Sequence, residues 1–127
     1  MLLYVTFGTN DVSRARAFYT PVLATLGYRL LRDGPDEIGY AAEGDTRCRF
    51  WVLTPFNNRS AGAGNGAMVA LVAPTRAAVD AFHAAAIAAG GTDEGAPGLR
   101  SYHANFYATY VRDPDGNKLT AVCENPV

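Results

Sequence analysis

Apolar and polar positions along the 127-residue chain follow two periods, and each period predicts an element. Met1 to Gly8 alternates weakly and is rich in β-formers, which predicts a strand. The spacing then changes to that of a helix, with Val12, Ala15, Tyr19, Val22, Leu23 and Leu26 on one face. Asn10 or Asp11 caps its start, Gly27 ends it, and Pro21 inside the pattern should kink or loosen it. Three strand-like runs follow, at about Tyr28 to Leu31, Ile38 to Ala42 and Arg47 to Leu53. Asp33-Gly34-Pro35 and Glu43-Gly44-Asp45 break them apart. Residues 57–66 are polar, with three glycines, and read as a linker.

The order then repeats. Ala67 to Val72 is a strand, and Thr75 caps a helix running to about Ala89 with Val79, Phe82, Ala86 and Ile87 on its apolar face. Gly90-Gly91 stops that helix, and strands follow at about Ala104 to Val111 and Lys118 to Cys123. Between these two strands Asp113-Pro114-Asp115-Gly116-Asn117 is a tight reversal. A shift of 64 positions carries Val5 onto Val69, Ala17-Phe18-Tyr19 onto Ala81-Phe82-His83 and Gly27 onto Gly91. Two βαβββ units, residues 1–56 and 67–127, thus make a single domain over 1–127. One helix covers only one side of a unit's sheet, so the units must pair. The expected fold is α+β: a curved eight-stranded sheet with its helices outside and a concave pocket within.

Charge removes some function classes. Eleven Lys+Arg against twelve Asp+Glu leave a net charge of −1, which gives neither the basic face expected for nucleic acid nor a surface for anionic membranes. No apolar run approaches the ~18 residues of a spanning helix. The first residues lack the charge and length of a secretory signal. The only cysteines, Cys48 and Cys123, each lie in a strand-like run and read as reduced, half-buried thiols. The expectation is a soluble, cytoplasmic protein.

Four stretches give the sequence a resemblance to the vicinal oxygen chelate superfamily, the glyoxalase, bleomycin-resistance and extradiol-dioxygenase-like proteins. They are Tyr4-Val-Thr-Phe-Gly-Thr-Asn-Asp11, Ala15-Arg-Ala-Phe-Tyr19, Met68-Val-Ala-Leu71 and Val111-Arg-Asp-Pro-Asp-Gly-Asn-Lys-Leu-Thr120. The resemblance implies one divalent metal in the cup, held by His or Glu from the first and last strands of each unit. It places Tyr4, Val52, Met68 and Thr120 at those positions, and none is a hard-metal ligand. No cofactor is therefore expected.

The remaining chemistry is sparse. His83 lies on the second helix and should border solvent. His103, in the polar and aromatic run Arg100 to Tyr107, is the one candidate general acid or base. The residues expected to contact a ligand are Tyr4, Thr6, Met68, Arg100, Tyr102, His103, Tyr107 and Thr120. Strand alternation puts Phe106 and Tyr110 on one face and Tyr107 on the other, one set being core and the other lining the pocket or a dimer contact. Phe50 and Trp51 likewise part to opposite faces. The scattered Arg14, Arg16, Arg29, Arg32, Arg47, Arg49 and Arg59 read as solvated surface. The expectation is a homodimeric protein that binds a small organic molecule without the usual metal centre. The alternative is a lyase, isomerase or dioxygenase that uses an atypical metal site or His103.

Overall fold

The computed structural model describes all residues from Met1 to Val127. The elements run β1 (Val5–Gly8), α1 (Val12–Ala24), β2 (Tyr28–Asp33), β3 (Glu37–Ala42) and β4 (Phe50–Leu53). The second unit follows as β5 (Val69–Val72), α2 (Arg76–Ala88), β6 (Thr92–Leu99), β7 (Tyr107–Arg112) and β8 (Lys118–Cys123). Between β4 and β5 the chain carries no helix or strand.

Local chemistry sets the helix ends. The Asp11 carboxylate accepts the Arg14 N–H at 2.9 Å, and the Thr75 hydroxyl accepts the Ala78 N–H at 3.0 Å. Each cap satisfies one of the amides that the first helical turn leaves unpaired. Pro21 does not end α1, which runs on to Ala24. Its last turn then tightens, with the Thr25, Leu26 and Gly27 amides donating to the carbonyls three residues before. Gly27 closes it at φ +86° and Gly90 follows α2 at φ +98°, a region that disfavours any side chain.

The eight strands divide into two four-stranded sheets, β1-β4-β3-β2 and β5-β8-β7-β6. β1 runs parallel to β4, with Val5 opposite Phe50, and β5 runs parallel to β8, with Val69 opposite Leu119. The shift of 64 positions therefore holds through the helices and has grown to 69 at the last strand. The growth follows a longer β6–β7 connection, Arg100–Phe106, where unit one turns in Gly34–Asp36. β6 itself carried no apolar run for the sequence to announce. It is an edge strand with two register breaks and Pro97 inside, so burial asks little of it.

One core spans both units. Ala15, Phe18, Tyr19, Val22 and Leu23 of α1 join Val79, Phe82 and Ala86 of α2 in a cluster that also takes in residues of both sheets. Ile87, expected on the buried face of α2, is instead exposed, because the adjacent Ala86 occupies that face. Cys48 lies in the loop before β4 rather than in the strand, and both cysteines are buried and unpaired.

A polar clamp completes the union. The Asp113 carboxylate is 3% exposed and accepts four hydrogen bonds, from the Tyr19 hydroxyl (2.5 Å), the Asn117 side chain (2.9 Å) and the Asp115 and Asn117 amides (2.9 Å each). The next carboxylate, Asp115, accepts from the Thr9 hydroxyl at 2.6 Å, the Asn10 amide at 3.0 Å and Arg14 at 2.8 Å. The Asn117 side chain also donates to the Gly8 carbonyl at 3.0 Å. The β7–β8 turn of unit two is thereby fastened to the start of unit one.

Burial and the Asp113 charge push the Tyr19 phenol well above its ordinary value, so the folded chain holds that proton where the unfolded chain releases it. The stabilisation is complete below about pH 10 and falls as pH rises beyond it. Tyr19→Phe is expected to lower stability by about 1–3 kcal/mol at neutral pH, by leaving a buried carboxylate short of a donor. It should also flatten the loss of stability above pH ~10, with Tyr40, raised by burial, and Tyr107, raised by its hydrogen bond to Asp80, supplying the remainder. Urea midpoints measured from pH 7 to 11 for both proteins check this.

Candidate functional site

Each sheet turns one face to the helices and leaves the other open. On β4 the core side takes Phe50 and Val52, so Trp51 and Leu53 look outward. Val52 is thus misplaced as a cup residue. Pairing sets Trp51 opposite Thr6 in unit one as Thr120 stands opposite Ala70 in unit two, which makes Trp51 the counterpart of Thr120. The positions matching the family's metal ligands are therefore Tyr4, Trp51, Met68 and Thr120. An alternating strand slipped by one residue exchanges its faces, and that explains the error.

The open face of unit one holds the largest cavity, about 540 Å³, bordered by Tyr4, Thr6, Arg32, Glu37, Arg47 and Trp51 among others. The family resemblance placed Tyr4, strand alternation then added Thr6, and Trp51 follows once β4 is in register. Arg32 and Arg47 were set aside as surface, because nothing local in the sequence brings the end of β2 and the loop before β4 to one place.

The open face of unit two is more closely packed. Tyr110 lies beside Thr120 across the β7–β8 ladder, with the Arg100 guanidinium 5.4 Å and the Lys118 ammonium 5.6 Å from its ring centre. Arg100 donates to the Gly98 and Ala96 carbonyls at 2.9 and 2.8 Å, which hold it over Tyr110. Thr120 is 1% exposed and its hydroxyl has no hydrogen-bond partner. Met68 stands half-exposed at the start of β5.

The two open faces approach each other where β1 and β5 stand at the sheet edges without backbone pairing. Thr6 and Lys118 border one cavity of about 220 Å³ together with Gly62, Ala63 and Gly64 of the linker. Tyr4 and Ala70 border another of about 170 Å³, walled by Leu2, Leu3 and Leu23.

Three further candidates lie away from the unit-one cavity. Tyr107 faces α2, not the open side: it packs on the core, its hydroxyl donates to Asp80 at 2.6 Å, and that bond raises the phenol's pKa. Alternation thus makes Tyr107 a core-side residue and sends Tyr110 to the other face. Tyr102 is exposed, with its ring against Phe106 (4.8 Å between centres). His103 shares that loop. Its Nδ1 accepts the Asn105 N–H at 3.1 Å and its Nε2–H donates to Glu124 at 2.7 Å, so the network assigns the tautomer and engages both nitrogens. His83, as expected, sits at the surface, 3.1 Å from Asp93.

The donor set does not fit the divalent ion that the resemblance implies. Phenol, indole, thioether and alcohol occupy the four strand positions, and no group of three or more His, Cys, Asp or Glu stands together so as to hold a metal. No helix is long and apolar enough to cross a membrane. The unpartnered Thr120 hydroxyl generates a prediction of its own. Thr120→Val keeps the branched shape and removes a desolvated polar group, so the melting temperature should rise, by the equivalent of about 1 kcal/mol.

Comparison with known proteins agrees with this architecture. The family model described as the glyoxalase/bleomycin resistance protein/dioxygenase superfamily matches residues 2–120. A glyoxalase/bleomycin resistance protein from Albidiferax ferrireducens is 37% identical, with a TM-score of 0.87 over 99% of each chain. A glyoxalase-related enzyme from Fulvimarina pelagi superposes with a TM-score of 0.76 at 21% identity, covering 100% of this chain and 89% of its own. Lactoylglutathione lyase from Agrobacterium tumefaciens gives 0.66 at 19% identity, covering 97% and 92%, and at that identity it speaks for the fold alone. The search of curated proteins found no match. With two βαβββ units, their open faces and a family match spanning nearly the whole sequence, the chain belongs to the glyoxalase/bleomycin resistance protein/dioxygenase superfamily.

Proposed function

We propose that this chain binds a small organic molecule on its open sheet faces and does so without a metal centre. The observation that carries the reading is the chemistry of Tyr4, Trp51, Met68 and Thr120. Structural and catalytic divalent sites are built from imidazole, carboxylate or thiolate, and these four side chains offer none of them. A cavity of about 540 Å³ suits a compact organic ligand.

The same proposal includes a homodimer. Leu2, Leu3 and Val72 are exposed on and beside the edge strands, and a second copy of the chain is the expected cover. Light scattering after size exclusion should then return twice the chain mass at micromolar concentration.

The metal-free reading is tested by incubating the protein with Zn²⁺, Ni²⁺, Mn²⁺ and Fe²⁺, desalting it exhaustively and measuring the metal retained. The expected result is below ~0.1 equivalent of each, with no rise in melting temperature during incubation. Retention near one equivalent with a raised melting temperature overturns the proposal.

A further inference from the structure

We propose that the unit-one cavity is a site for a planar aromatic carboxylate, with the ring laid on Trp51 and the carboxylate held by Arg32 and Arg47. The proposal deepens the binding reading above and rests on it.

Pairing aligns four residues across the sheet: Thr6 on β1, Trp51 on β4, Gly39 on β3 and Arg32 on β2. The third of these has no side chain, and Trp51 uses the space. A Cβ on Gly39 would lie 2.8 Å from Cζ3 and 2.9 Å from Cε3 of the indole, and 2.7 Å from the Cys48 sulfur. The six-membered ring therefore lies down over β3 on the way to Arg32, and the cavity opens beside it. An indole laid along a sheet is a stacking platform for another flat ring.

The cations are free to meet an anion. Arg14, Arg16, Arg49 and Arg112 each pair with a carboxylate. Neither Arg32 nor Arg47 has an ion pair. Arg32 makes only a 3.5 Å contact with the Leu31 carbonyl, and the Arg47 guanidinium makes no hydrogen bond. The planar fork of each matches a carboxylate. From Trp51 to Arg32 is two strand spacings, about 10 Å between backbones, which a one- or two-ring acid spans once the arginine folds back. Glu37 also borders the cavity without an ion pair, and it repels a second negative group. The site therefore selects a single carboxylate.

Trp51 is the only tryptophan, so its fluorescence reports this site alone. The probes are three flat quenchers of one shape: para-nitrobenzoate, para-nitrobenzyl alcohol and para-nitrobenzylammonium. Saturable quenching by the benzoate is expected, with the alcohol and the ammonium binding at least about tenfold more weakly. Arg32→Gln and Arg47→Gln should each weaken the benzoate about tenfold and leave the alcohol unchanged, in proteins whose melting curves match the parent. Equal affinity for all three probes, or a benzoate affinity that ignores both substitutions, overturns this proposal and leaves the binding reading intact. If no probe quenches while calorimetry finds another organic ligand, the proposal also falls and the reading survives. Stoichiometric metal in the desalted protein overturns the reading itself.

Discussion

The Asp113 carboxylate is the constraint on which the rest of this molecule depends. It is a buried anion with no cation beside it, satisfied by four hydrogen bonds that come from both halves of the sequence. Two of those donors are amides of its own turn, so the turn must be tight before the charge is satisfied. The Tyr19 hydroxyl lies on α1, so that helix must be docked as well. Leaving a buried carboxylate short of a donor is costly, so the turn, the docked helix and the union of the units favour one another. Asp115, one residue further on, turns the same logic outward and ties Thr9, Asn10 and Arg14 to unit two.

Much of this architecture is legible without coordinates, and the legible parts share a cause. Caps at Asp11 and Thr75, stops at Gly27 and Gly90 and the reversal at Asp113–Asn117 are decided by neighbours in sequence. Apolar spacing on α1 identifies its buried face almost residue by residue. The illegible parts depend on position in the fold. β6 needs no apolar run because it is an edge, and Val52 and Trp51 exchange roles on a one-residue question of register. Pro21 sits late enough in α1 that the helix goes on for three more residues.

The site divides in the same way. The resemblance supplies Tyr4 and alternation adds Thr6 on the same face, whereas Arg32 and Arg47 meet over one cavity only because β2 and the β3–β4 loop are brought together by tertiary structure. Tyr107 and Arg100 show the opposite effect, since each looked available in the sequence and is engaged within the fold. His103 belongs with them. A histidine among aromatic residues invites a catalytic reading, yet its two ring nitrogens brace the longer β6–β7 connection that distinguishes unit two from unit one.

The unpaired seam between β1 and β5 has a consequence for how the pairing of the two units changes over evolutionary time. Within each sheet the distance between strands is fixed by a ladder of amides, close to 4.8 Å whatever the side chains. Across the seam there is no ladder, and residues such as Leu2, Leu3, Tyr4, Val69 and Ala70 line the gap while the shared helix core and the Asp113 clamp hold the units together. A substitution there alters the span between two rigid walls without breaking a backbone hydrogen bond. The one join between the sheets that no backbone ladder fixes is thus left to side chains, which can repack while the clamp at Asp113 stays as it is.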